Sequence, residues 1–250
     1  MHEPLIAVLA DVHGNLWALE AVLADARRRA ADELIDLGDI LYGPLDPAGT
    51  AELHRSAGIT AIRGNMDRIL GEPLPEHTNA TRAFVHESLA PHHLAWAAGL
   101  PARLERGDLR FCHGTPERDD AYLLEAVSEA GASLRPSAEI QALLGENPAA
   151  VTFCGHSHVP RVVAAGDRLA INPGSVGLPA YNEEAPWPHV MEAGSPHARY
   201  ILITRGSQGW EIEQVLVPYP WQEAASRARR NGRPDWAEWI ETGRAPFASI

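Results

Sequence analysis

Five short apolar runs in this chain each end in side chains able to ligate a metal. Residues 5–10 lead into Asp11 and His13, residues 33–37 into Asp39, and residues 59–62 into Asn65 and Asp67. Residues 109–112 lead into His113, and residues 150–154 into His156 and His158. In open α/β sheets, ligands bind just beyond the carboxyl ends of the strands. A sheet arrangement that aligns these five ends gathers four His, two Asp and one Asn in one pocket. Such a set suits a two-metal centre better than a single-nucleophile site.

The segments between the runs support that arrangement. Leu16, Leu19, Val22, Leu23 and Ala26 recur at helical spacing and predict a helix over 15–31, with Arg27, Arg28 and Arg29 in its last turn. Strands over 33–38 and 59–63 with a helix near 48–57 complete a parallel βαβ half. A helix over 80–98, a hairpin over 102–105 and 108–112, and helices over 119–131 and 137–145 follow. Then come a strand at 150–154, two more at 161–164 and 168–171, and a hairpin over 200–205 and 210–217. Residues 179–198 read as a long irregular loop, of the kind that acts as a lid or moves. The expectation is one domain over 1–250, two packed sheets flanked by helices, with residues 219–250 as a helical tail. The tail's Trp221, Trp236 and Trp239 are expected to pack on the core or on a partner subunit.

Composition narrows the chemistry. All 21 basic side chains are Arg, so Schiff-base lysine catalysis and a Walker A loop are excluded. The net charge of −12 argues against non-specific nucleic-acid binding and against anionic membranes. No apolar run approaches the roughly 20 residues of a membrane span. The start of the chain has no basic leader, and two Cys make no disulfide framework. A cytoplasmic setting is therefore expected. Cys112 and Cys154 read as buried strand residues.

Asp11 and His13, two apart at a strand exit, can reach one metal, and Asp39 on the neighbouring strand is the natural shared carboxylate. The glycines beside the ligands (Gly14, Gly38, Gly64, Gly114 and Gly155) allow sharp turns and close approach. The ordered motifs Asp-x-His, Gly-Asp, Gly-Asn-x-Asp, a lone His and Gly-His-x-His, over roughly residues 5–178, resemble the calcineurin-like metallophosphoesterases. Asp11 to Asn15, Gly38 to Pro44 and Asn172 to Ser175 are similar to its bacterial, phosphodiesterase-like branch. The resemblance implies a four-layer α/β/β/α sandwich with two mixed sheets. It implies that Asp11, His13, Asp39 and His158 hold one divalent ion, and Asp39, Asn65, His113 and His156 a second. Mn²⁺, Fe and Zn²⁺ all suit the mixed shell. A hydroxide bridging the ions would attack phosphorus in line. The ions give +4, two Asp −2 and hydroxide −1, leaving +1 to draw a phosphate into an acidic protein.

One position departs from the family pattern. Where the family has a histidine beside the substrate, this chain has Met66, and a thioether donates no proton. Phosphodiesters and nucleoside polyphosphates, whose leaving groups need little protonation, are therefore the expected small-molecule substrates. The alternatives are a phosphomonoesterase of the protein-phosphatase type and a non-catalytic scaffold of the same fold, similar to the retromer subunit. Asp67 either orients the site or caps a helix. Asn15 caps the first helix, faces the phosphate, or both. Arg63 is expected to end a strand and pair with a carboxylate. His77, His92, His93 and His189 are the remaining acid candidates, each read as surface. A homo-oligomer is compatible with the sequence.

Overall fold

The computed structural model describes residues 3–247. β1 (Ile6–Leu9), β2 (Glu33–Asp36) and β3 (Thr60–Ala61) run parallel, joined by α1 (Leu16–Arg28) and α2 (Pro47–Ser56). After β3 come α3 (Asn65–Leu70), α4 (Ala80–Ser88) and α5 (Pro91–Ala98). β4 (Arg103–Arg106) and β5 (Leu109–Cys112) form an antiparallel pair, and β6 (Glu125–Ser128) and β7 (Gly131–Leu134) form another. α6 (Ser137–Leu144) precedes β8 (Val151–Phe153), β9 (Arg161–Ala165) and β10 (Arg168–Asn172). A hairpin of β11 (Ala180–Glu183) and β12 (His189–Glu192) leads to a longer one of β13 (Ala198–Gly206) and β14 (Gly209–Val217). α7 (Trp221–Arg230) and α8 (Pro234–Thr242) follow.

Two five-stranded mixed sheets result, in the orders β14-β13-β1-β2-β3 and β4-β5-β8-β10-β9. Alternation along each strand sorts the side chains into layers. Ile6 and Val8 of β1 point between the sheets, with Ile35, Phe111, Val151, Phe153, Ile171 and Ile201. Ala7 and Leu9 point the other way, against Leu19, Val22 and Leu23 of α1 and Trp236 and Ile240 of α8. The outer face of the second sheet packs Cys112, Cys154 and Ala170 under Ile140 and Leu144 of α6. This is the expected α/β/β/α sandwich. No helix among the described residues is long and apolar enough to cross a membrane.

Four segments differ from the sequence expectation. The helix over 80–98 is two helices, because Leu89 and Ala90 are extended and Pro91 opens the second. The segment 119–131 is not helical. Leu123 and Leu124 are buried against the second sheet, and Glu125–Ser128 turns back to pair with β7. Tertiary burial there overrides a helix-favouring local sequence. Residues 65–70, which follow the third ligand run, are helical. The irregular loop expected at 179–198 holds the ordered β11–β12 hairpin.

Phe111 and Phe153 are register partners on parallel strands, and their rings stack 5.2 Å apart with no exposure. Truncating Phe153 to Ala empties the inter-sheet core and is expected to cost about 3–5 kcal/mol. A thermal melt should register this as a fall in Tm on the order of 10 °C.

Candidate metal centre

The parallel strands of both sheets end on one side, and the turns leaving them carry the ligand side chains. The turns are held by backbone hydrogen bonds between one strand exit and the next. Asp11 N–H donates to Gly38 O, His13 N–H to Asp39 O, and Gly155 N–H to His113 O. Five of the candidate ligands, Asp11, His13, Asp39, His156 and His158, adopt φ between 52° and 66°. Ala30 is the one other non-glycine residue there among those described. Left-handed backbone at a residue with a Cβ costs on the order of 1–3 kcal/mol and clusters at functional sites. The sequence reading placed that burden on the neighbouring glycines, whereas the ligands themselves carry much of it.

Glycine supplies close approach at two of these positions. A Cβ on Gly38 would collide with Gly64 N, and one on Gly64 with Asp39 Oδ1. The second and third turns therefore lie back to back, bringing Asp39 beside Asn65. Asp67 locks the contact: one carboxylate oxygen accepts the N–H groups of Asp39 (2.8 Å) and Gly64 (3.0 Å), the other that of Ile40 (3.0 Å). Met66 N–H donates to Asp39 Oδ1 at 2.8 Å.

The side chains gather in two groups, Asp11 with His13 and His158, and Asp39 with His113 and His156, each with ligand atoms within 4.8 Å of one another. Asp39 Oδ2 lies 3.3 Å from His113 Nε2 and 4.0 Å from His13 Nε2, so it stands between the groups. Asn65 Oδ1 is 3.0 Å from His113 Nε2, and His158 Nε2 is 3.4 Å from Asp11 Oδ1. Three imidazoles are oriented from behind. Nδ1 of His13, His113 and His158 lies 2.7, 2.9 and 2.6 Å from the carbonyls of Tyr42, Leu37 and Leu178. Donation from Nδ1–H leaves Nε2 with its lone pair facing inward, the usual arrangement of a metal-ligating histidine. His156 is placed by its backbone N–H, 3.2–3.3 Å from the Asp11 carboxylate, and by Tyr122, whose ring stacks 4.8 Å from it. Asn172 holds Gly155 O, and Ser175 Oγ donates to Asp11 O, so the Asn172-to-Ser175 segment braces the same turns.

Among the side chains alone the charges are strongly coupled. Burial opposes ionisation of Asp11 and Asp39, yet the facing imidazoles hold both carboxyls below the ordinary range. Burial pulls His113 down, but Asp39 and Asp11 outweigh it and lift the imidazole to about 10. Burial and the neighbouring His113 push His156 down to about 4. Burial and the Asp39 charge raise Asp67 to about 7. Buried carboxylates beside inward-facing imidazole nitrogens are a donor set that fits divalent cations.

The structure corrects several roles. Asn15 caps α1 and is turned into the fold. Its Oδ1 accepts Ala18 N–H at 3.2 Å, its Nδ2 donates to Gly177 O and Tyr219 OH, and the residue is fully buried. Asp67 is fully buried, with its carboxylate engaged by three backbone N–H groups, and it positions Asp39, one of the two roles the sequence allowed. Arg63 donates to the Ala98 carbonyl. His189 is buried, not surface, with Nε2 3.1 Å from Tyr122 OH. His93 is also buried, beside Glu52 at 2.6 Å. Trp236 and Trp239 pack on the core and also line the site.

A cavity of about 920 Å³ opens from the ligand groups, lined by Met66, Arg118, Tyr122, Tyr181, Arg233 and Trp236 among others. Met66 apart, no strand-end motif marks these wall residues. The others come from the 113–127 segment, the β11–β12 hairpin and residues 233–239.

Comparison with known proteins gives the same outline. The calcineurin-like phosphoesterase superfamily domain matches residues 5–191. An uncharacterised protein of Methanocaldococcus jannaschii is 26% identical over 260 residues, spanning 94% of this chain and 96% of its own. The crystal structure of a metallophosphoesterase from Sphaerobacter thermophilus superposes with a TM-score of 0.77 at 26% identity, covering 97% of this chain and 100% of that one. A hypothetical protein from Pyrococcus horikoshii shares the fold, with a TM-score of 0.71 at 17% identity over 96% and 98% of the two chains.

Asp39 faces both ligand groups, so Asp39→Asn should weaken both. In calorimetric titration of the chelator-stripped protein with Mn²⁺, the variant is expected to lose binding at both groups. In melts, the stabilisation that Mn²⁺ should give the wild type, about 2.7 kcal/mol per site at a hundred times Kd and read as a rise in Tm, should shrink toward zero.

Proposed function

This chain belongs to the calcineurin-like phosphoesterase superfamily, and from that premise we propose that it is a two-metal hydrolase of small phosphodiesters or nucleoside polyphosphates. The observation that carries the reading is the pair of ligand groups with Asp39 between them, at the end of a cavity of about 920 Å³. Asp11, His13 and His158 would hold one cation and His113, His156 and Asn65 the other, with Asp39 shared. Two divalent ions there would polarise phosphate oxygens and activate water as the nucleophile, and Mn²⁺, Fe and Zn²⁺ all suit the mixed donors.

The protein's own part is to fix the ligands and to set the leaving group. Asp67 and the back-to-back glycines hold Asp39 in place, and the backbone carbonyls behind His13, His113 and His158 keep their Nε2 atoms pointed inward. The volume lies within the range of small-molecule pockets. Every histidine lining it is a candidate ligand, and Met66 occupies the wall beside Asn65. Among the described residues, no free imidazole is therefore supplied to protonate a departing alkoxide, which favours substrates whose leaving group departs as a stable anion.

A hydrolysis panel on Mn²⁺-loaded protein tests this. Bis-p-nitrophenyl phosphate and dinucleoside polyphosphates should turn over faster than phosphoserine peptides, and the reverse order would overturn the substrate assignment. Absence of turnover on the whole panel by metal-loaded protein would favour a scaffold. Met66→His should raise the rate on alkyl phosphomonoesters by at least about tenfold while changing aryl diester hydrolysis little. An unchanged monoester rate would rule out the proton-donor explanation.

A further inference from the structure

The family match ends at residue 191, yet a wall of the metal centre comes from beyond it. α8 places the indole of Trp236 edge-on against the His13 imidazole, with ring centroids 5.7 Å apart and planes at 79°. The indole is 5% exposed and also packs on Gly43, where an added Cβ would lie 3.1 Å from Trp236 Cζ3. Gly43 follows Tyr42, whose carbonyl takes His13 Nδ1. The same loop is tied to the tail twice more: Asn231 Nδ2 donates to Pro44 O at 2.8 Å and Arg227 Nε to Leu45 O at 3.1 Å. The Arg233 guanidinium lies 5.5 Å from the Trp236 ring and is paired in turn with Asp235. At its far end α8 is anchored to the β11–β12 segment, through Gly194 N–H to Gly243 O and Ala245 N–H to Glu192 Oε1.

These contacts converge on one imidazole. His13 has its Nδ1 fixed by the 42–46 loop and its ring plane fixed by Trp236, while its Nε2 faces His158 at 3.2 Å and Asp39 at 4.0 Å. We propose that Trp236 is a positioning residue for the His13 ligand group, and that α7 and α8 thereby form part of the metal centre, not merely its outer packing. The proposal rests on the metal-centre reading above. Outer groups that orient a ligating histidine typically change metal affinity 10–100-fold when removed.

The test is Mn²⁺ binding to the full, chelator-stripped chain, followed calorimetrically without substrate. Trp236→Ala should weaken one of the two binding events about tenfold and leave the other unchanged, and Trp236→Phe, which keeps an aromatic edge, should restore most of it. Ile240→Ala removes buried apolar volume from the same helix away from His13. It should lower Tm without moving either Mn²⁺ affinity. Should Trp236→Ala prove insoluble, Asn231→Ala, which frees the Pro44 carbonyl, decides the matter by a smaller loss at the same event. Equal affinities in wild type, Trp236→Ala and Asn231→Ala would overturn the positioning role while leaving the metal centre standing. A wild type that binds none of Mn²⁺, Fe²⁺ and Zn²⁺ in the same titration would overturn both.

Discussion

The close contact between the Gly38 and Gly64 turns governs where the Asp39 carboxylate can lie. Neither position tolerates a Cβ, because each faces backbone or the Asp39 carboxylate itself. Asp67 then accepts N–H groups from both turns and fixes their separation. Asp39 consequently stands between imidazoles from β1, β5 and β8 exits, although it belongs to β2. Without that contact, the two ligand groups would be separate clusters on separate strand ends. The Arg68 guanidinium, paired with both oxygens of Asp119 at 2.8 and 3.0 Å, extends the same connection from α3 to the segment after His113.

The seven candidate ligand positions were legible because they obey a strand-end rule. Apolar runs supply parallel strands, parallel strands end on one side, and Asp11, His13, Asp39, Asn65, His113, His156 and His158 follow those ends directly. The two-sheet sandwich followed from the same alternation that sends Val8 to one face and Leu9 to the other. Asn15 and Asp67 were harder to assign. Both are polar residues next to candidate ligands, and only their buried hydrogen bonds show that they hold backbone.

The cavity wall was not legible, for a different physical reason. Tyr122, Tyr181 and Trp236 approach the ligands through contacts between segments far apart in the chain. Residues 121–127 have helix-compatible composition but bury Leu123 and Leu124 against the second sheet, which forces β6 to turn back. The tail tryptophans fit core packing at any helical spacing. Trp236 alone among them meets His13, beside hydrogen bonds from Asn231 and Arg227 to a loop some 180 residues earlier.

The left-handed backbone of five candidate ligand residues bears on how this centre could be altered. Asn, Asp and His tolerate that conformation better than other residues with a side chain, and β-branched residues tolerate it least. The residue types that suit hard and borderline cations are thus also those the turns can accommodate. Retuning the centre toward a soft cation by introducing thiolates, or lengthening a carboxylate to Glu, would have to satisfy the dihedral angles as well as the coordination. The turns therefore act as a filter on side-chain identity that is independent of the ion. Drift in ligand chemistry should be slowest at Asp11, His13, Asp39, His156 and His158, and freer at Asn65 and His113, which φ does not constrain in this way.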